Sequence, residues 1–234
     1  MAIAIVLAWA LTIIAQASGA DALLHHHALL EDGPPLSAGV LLFLASWQVM
    51  VVAMMLPASL PAISQFDSSR AGLDRSTRDI VLFLTAYFAL WSLFGLFAFV
   101  GDSVVHRLVH ASPFLEQHSW LIEAGIAGLA GVYQLSSPKR RSLTACRHPA
   151  AAGGGLAAGL AHGLDCLGSS APLMLLMFAA GFANLWWMIG LTALMVYEVI
   201  GRHGHRVATI AGGLLVGLAV YALGMNGLPA WGAA

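Results

Sequence analysis

The chain has 234 residues, of which 59% are hydrophobic and only 9% charged, with a formal net charge of −1. A soluble domain carries about a quarter of its residues as charged groups, so this chain cannot clothe an ordinary water-facing surface and calls for a second, apolar solvent. The same numbers exclude disorder, coiled coils and nucleic-acid binding, and two cysteines cannot build a disulfide scaffold.

A helix that crosses a bilayer needs roughly 20 mostly apolar residues. Turn and charge clusters leave seven stretches near that length, at 2–18, 38–60, 80–101, 119–136, 155–181, 184–200 and 206–224. The expected fold class is therefore all-α, a polytopic transmembrane helical bundle of about seven spans. It has six if the first is a cleaved signal peptide, for which Ala15-Gln16-Ala17 supplies small residues but no basic n-region precedes it. Residues 1–37 then make an N-terminal anchor or signal segment with a His-rich outer loop, and residues 38–234 the helical membrane domain.

Basic residues orient such a bundle, because short cytoplasmic loops accumulate Lys and Arg. Arg70, Arg75 and Arg78 fall in one loop, Lys139, Arg140, Arg141 and Arg147 in a second, and Arg202 and Arg206 in a third, leaving only Arg107 on the other side. The pattern predicts a cytoplasmic N-terminus and a periplasmic or extracellular C-terminus. Asp21, His25, His26, His27, Glu31 and Asp32 then face outward, as do Asp102, His106, His110, Glu116 and His118. Neither a Walker sequence nor a Rossmann glycine fingerprint is present, so nucleotide is not an expected ligand.

The fifth stretch carries the most unusual chemistry. Gly155, Gly159 and Gly163 recur every four residues, a smooth stripe on which a second helix backbone can pack. His162 and Cys166 share a face at the same spacing, Ser169 or Ser170 continues it, and Met174 and Met177 lie beyond. Imidazole, thiolate and thioether together suit Cu(I), and imidazole with thiolate also suits Zn(II). The structural alternative is a histidine bonded across a helix interface, a small buried cysteine and gap-filling methionines. In the second stretch, Met50 and Met54 share a face, Met55 turns toward a neighbouring one, and Pro57 and Pro61 free carbonyls one turn earlier.

The basic segment SSPKRRSLTACRHP reads as a cytoplasmic loop whose Cys146 and His148 supply two donors, short of the four of a closed zinc site. If it folds back, Cys146 can join Cys166 or His162. A second, outer candidate is Asp102, His106 and His110, successive i, i+4 positions able to capture Cu(II) or Zn(II) if the chain there stays helical; a solvated loop is its alternative. Glu198 near the end of the sixth stretch is expected to pair with Arg202, four residues on.

At WQVMVVAMMLP, AGVYQLSSPKRRSLTACRHP and GLAHGLDCLGSSAPLMLLMFAAGFANLWWMIGLTALMVYE the chain resembles a bacterial family of predicted metal-binding integral membrane proteins, domain of unknown function family 2182, some members of which are labelled copper chaperones. The resemblance covers most of the chain after about residue 38. It implies a multi-pass protein of the bacterial inner membrane. The family pattern has Cys-Leu-x-x-Cys in the basic segment and Cys-x-Gly-Cys-Cys-Trp in the fifth stretch. Here these read Ser142-Leu143-Thr144-Ala145-Cys146 and Cys166-Leu167-Gly168-Ser169-Ser170-Ala171, so three thiols the resemblance implies are serines.

The leading expectation is a copper-handling, chaperone-like or assembly protein of the membrane, not an enzyme, with a degenerate metal site. Its ligands would be Cys166, His162, Cys146 and His148 with Met54, Met174 or Met177, its cargo copper ahead of zinc, or no metal, and its partners the lipid bilayer and a membrane or metal-receiving protein. Two alternatives stand beside it. One is a non-catalytic scaffold or subunit, suggested by the serines and by close-packing glycines that include Gly213 and Gly217. The other is a small-solute or proton-coupled transporter using Glu123, His162, Asp165 and Glu198.

Overall fold

The computed structural model describes residues 1–18, 36–70, 76–148, 153–179 and 184–225, and these form helices with no strand among them. In chain order they are α1 (Ala2–Ala17), α2 (Leu36–Met54), α3 (Leu56–Arg70), α4 (Ser76–Ala111), α5 (Pro113–Gln117), α6 (Trp120–Leu135), α7 (Ser137–Arg147), α8 (Gly155–Ala179), α9 (Leu185–Ile200) and α10 (Gly204–Gly224). The expected outer residues Asp21, His25, His26, His27, Glu31 and Asp32 lie outside the described residues, as does Arg75.

Among the described residues, three helices are long and apolar enough to cross a membrane: α4 over Thr77–Ala111, α8 over Gly155–Met177, and α10. The pair α2–α3 makes a fourth if its two arms, bent by 70°, count as one span. The other three expected spans correspond to α1, α6 and α9, each of 16 residues. At 1.5 Å per residue each is about 24 Å long, below the ~30 Å hydrocarbon core.

The bend has a definite cause. Pro57 has no N–H, and its ring cannot sit under the carbonyl four residues earlier, so the helix breaks at Met55. The Ala53 carbonyl that Pro57 would have engaged instead accepts the indole N–H of Trp9 at 3.1 Å, which ties α1 to the break.

The glycine stripe of α8 packs against α4 as its spacing predicts. A Cβ on Gly155 would stand 2.0 Å from the Asp79 carbonyl oxygen, one on Gly159 2.3 Å from that of Phe83, and one on Gly163 2.7 Å from the Leu90 side chain. Both series rise together, so α4 and α8 run parallel with backbones in contact. On the other flank α10 packs along α6, where Gly131 and Gly212 meet: a Cβ on either would lie 2.9 Å from the other's carbonyl oxygen. Gly213 and Gly217, expected to pack closely, have nothing within 4 Å of a would-be Cβ. They lie one position off the contacting face in a helix whose stripe begins at Gly212.

The basic segment is a helix and not a loop. Ser136 caps α7 by accepting the Lys139 N–H at 3.3 Å, and Lys139, Leu143 and Cys146, one or two turns apart, form its buried face. That face turns back onto α8, where Ser142 fills the space beside Gly168.

Candidate metal centre

Five helices meet around the two thiols. α2 ends in Met54, Met55 sits at the break before Pro57 and α3 continues with Ser59; α4 contributes Tyr87, α7 Cys146 and α8 Cys166. The Cys146 thiol meets the Cys166 thiol and the Ser169 hydroxyl. Contact with Cys166 and burial both push the Cys146 thiol up. Tyr87 Oη lies 3.3 Å from Cys166 Sγ and accepts from Ser59 Oγ at 3.1 Å. Ser170 Oγ lies 2.6 Å from the Cys166 carbonyl oxygen and 3.5 Å from Met55 Sδ.

Around this contact lies a single buried cluster that holds both cysteines together with Met50, Met54, Met55, Met174, Met177, Met188 and Met195. Met54, Met174 and Met177 are fully buried in it. Thiol and thioether donors are soft and polarisable, the set that prefers Cu(I) over harder divalent ions. Among the described residues no group of three or more His, Cys, Asp or Glu side chains could hold a metal ion.

His162 lies one turn before Cys166 and is 3% exposed. Its ring stacks between Phe83, at 5.8 Å and 26°, and Tyr87, at 5.7 Å and 19°. Neither ring nitrogen has a hydrogen-bond partner among the described residues, although a buried polar atom ordinarily finds one. The expected bond across the helix interface is therefore not made. His148 follows Cys146 by two residues and so faces away from it; it is exposed and lines a separate cavity with Arg202 and Arg206.

The outer candidate takes a different form. The helix does persist past the apolar stretch to Ala111, and His106 Nε2 lies 3.0 Å from His110 Nε2. Glu116 approaches the other nitrogen of His110, at 3.7 Å. Asp102, His106 and His110 do not form a three-donor cluster.

A buried polar network closes the site on the side of α9. Lys139, 0% exposed, donates to Glu198 Oε2 at 2.5 Å and to the Ser169 carbonyl oxygen, while Gln134 Nε2 donates to Glu198 Oε1 at 2.7 Å. Burial pushes the Lys139 ammonium down, and Glu198 opposes that shift. Glu198 therefore pairs with Lys139 and not with Arg202, because α7 folds back over the end of α9. Arg147 reinforces the join, donating to the carbonyls of Glu198 and Gly201 at 2.9 Å each.

Sequence reasoning did not single out Tyr87, Ser59 or Lys139, and it turned Met55 away from the stripe. A hydroxyl in the middle of the most apolar stretch was the available signal for Tyr87. Lys139 carried none, since it sits in a run of three basic residues.

Helices able to cross a membrane and a buried cluster of thiol and thioether side chains define a class: an all-helical protein with a sulfur-rich core. A family model described as PpoB2, copper chaperone, matches residues 44–222, and the chain belongs to that family. No curated protein and no solved structure matches it. The matched segment contains every sulfur atom of the buried cluster.

Proposed function

We propose that this protein is a membrane-embedded carrier of Cu(I) that holds the ion between Cys146 and Cys166 and passes it to a metal-receiving protein by ligand exchange, without catalysing a reaction. The observation that carries this reading is the contact between the two thiols inside a methionine-rich cluster, in a chain of the copper chaperone family. Two thiolates with a nearby thioether bind a soft ion in a low-coordinate site, and exchange of one donor at a time allows release without a redox step. Cys146 reaches the site from the short helix α7, so it is the donor more able to withdraw. Copper is the favoured cargo, zinc the second.

The apolar helices support a membrane setting; in this reading the basic ends of the short connections lie on the cytoplasmic side of a bacterial inner membrane and the three 16-residue helices complete up to seven crossings within the bundle. His162 stands one turn from Cys166 with both nitrogens unpartnered, which suits a reserve donor engaged during transfer. If the family's further thiols stand at positions 142, 169 and 170, then this chain keeps two of five. Ser142 and Ser169 line the α7–α8 contact and Ser170 faces Met55, so the replacements would thin the site without dispersing it.

The test is anaerobic Cu(I) competition against a chromogenic chelator with the purified protein, beside Cys146→Ser, Cys166→Ser and His162→Ala. Binding of one equivalent that either cysteine variant abolishes supports the reading. Equal copper binding by wild type and the double cysteine variant removes it. The Ser-lined contact favours a second reading, a scaffold that has lost metal binding, and a partner that co-purifies equally well with the double cysteine variant would support that.

A further inference from the structure

Outside the sulfur cluster, among the described residues, cationic side chains without acidic partners gather where α7 meets the turn between α9 and α10. A cavity of about 410 Å³ is lined there by Arg147, His148, Arg202, His203, His205 and Arg206, and no acidic side chain lines it. A second, of about 600 Å³, shares His205 and Arg206, adds Arg140 and continues down α10 to Thr209 and Ile210. Arg147 is committed to the carbonyls of Glu198 and Gly201. Arg140, Arg202 and Arg206 form no ion pair among the described residues.

The first turn of α10 adds to this field. His203 stands at its N-cap without a side-chain capping bond, and a helix start presents N–H donors and partial positive charge to whatever lies before it. Cationic side chains collected without an acid, beside an uncapped helix start, form an anion site.

The second cavity narrows the choice of anion. α10 is one of the helices apolar enough to cross a membrane, and on its flank below Arg206 the side chains of Ile210 and Leu214, one turn apart, are 62% and 70% exposed. A ligand with phosphate in the Arg-His cavity and an alkyl chain along Ile210 and Leu214 uses both halves, whereas free phosphate uses only the first. We infer that this pocket binds the phosphate of an anionic phospholipid at the membrane boundary. The inference rests on the proposed membrane setting of α10 and is independent of copper.

The full chain, delipidated in detergent, is titrated with short-chain phosphatidylglycerol, short-chain phosphatidylcholine and inorganic phosphate while bound ligand is counted by native mass spectrometry. Phosphatidylglycerol is expected to bind tightest. The double variant Arg202→Gln, Arg206→Gln is expected to lose roughly thirtyfold, two arginines at the usual worth of a headgroup contact, and Arg206→Gln alone about fivefold. The control Arg78→Gln, Arg141→Gln removes the same charge elsewhere and is expected to keep the preference. Equal affinity for the two lipids, equal losses in control and site variants, or inorganic phosphate binding as tightly as phosphatidylglycerol would each overturn the site. Whether the chain sediments with membranes before extraction is read separately, so a failed membrane setting is distinguished from a membrane-bound chain that lacks lipid preference.

Discussion

Two helix pairs in this molecule are built on glycine, and they do different things with the closeness it allows. In α4–α8 the stripe Gly155, Gly159, Gly163 lies directly on the carbonyls and side chains of α4, which sets Tyr87 against Cys166 and His162 between two aromatic rings. In α6–α10 Gly131 meets Gly212 and Val216 while Gly128 lies against Ala219, and the pair brings no sulfur donor together. Close approach thus creates a site only where the adjoining positions of the same helix carry donors. The polar joint of Lys139, Gln134 and Glu198 links the two pairs, since Gln134 belongs to α6 and packs beside Gly212.

The comparison can be broken at that joint first. Lys139→Ala leaves the Glu198 carboxylate buried without its cation and is expected to cost about 3–5 kcal/mol. Thermal denaturation in detergent measures it, and the double variant Lys139→Met, Glu198→Met should recover much of the loss, which sets burial of a lone charge apart from loss of packing. Next in size is the chemistry: Cys166→Ser is expected to weaken Cu(I) binding on the order of a hundredfold, about 2.8 kcal/mol, in chelator competition, with helical content unchanged by circular dichroism.

The packing itself is tested by two glycines. Gly159→Ala drives a methyl group into the Phe83 carbonyl and should destabilise by about 1–3 kcal/mol, loosening Tyr87 from Cys166 and so weakening copper binding as well. Gly213→Ala meets open space and should stabilise α10 by roughly 0.5–1 kcal/mol, the ordinary helix preference for alanine. Equal melting temperatures for these two variants would show that the glycine stripe of α8 is not the contact described.

Much of this was legible in the chain. The spacing of Gly155, Gly159 and Gly163 and of His162 and Cys166 has a fixed meaning on a helix, so the packing stripe and the adjacent donor face could be read without coordinates. The basic segment reads locally as a loop because KRR looks solvated; its buried face of Lys139, Leu143 and Cys146 becomes visible only once a helical period is imposed. Local spacing favours a pair between Glu198 and Arg202, four residues on. The actual partner is 59 residues away and reaches Glu198 through the fold-back of α7.

By itself, the sequence determined that the protein is helical, that several of its helices are apolar enough to cross a membrane, and which side of α8 would meet another helix, because composition and a period of 3.6 residues act locally. Only the tertiary structure decided that Cys146 meets Cys166, that Met55 joins Ser170, and that Lys139 is buried against Glu198. Those pairings depend on where α7 folds back and how sharply the chain turns at Pro57. Both are settled by packing between segments distant in sequence, for which no local pattern carries the information.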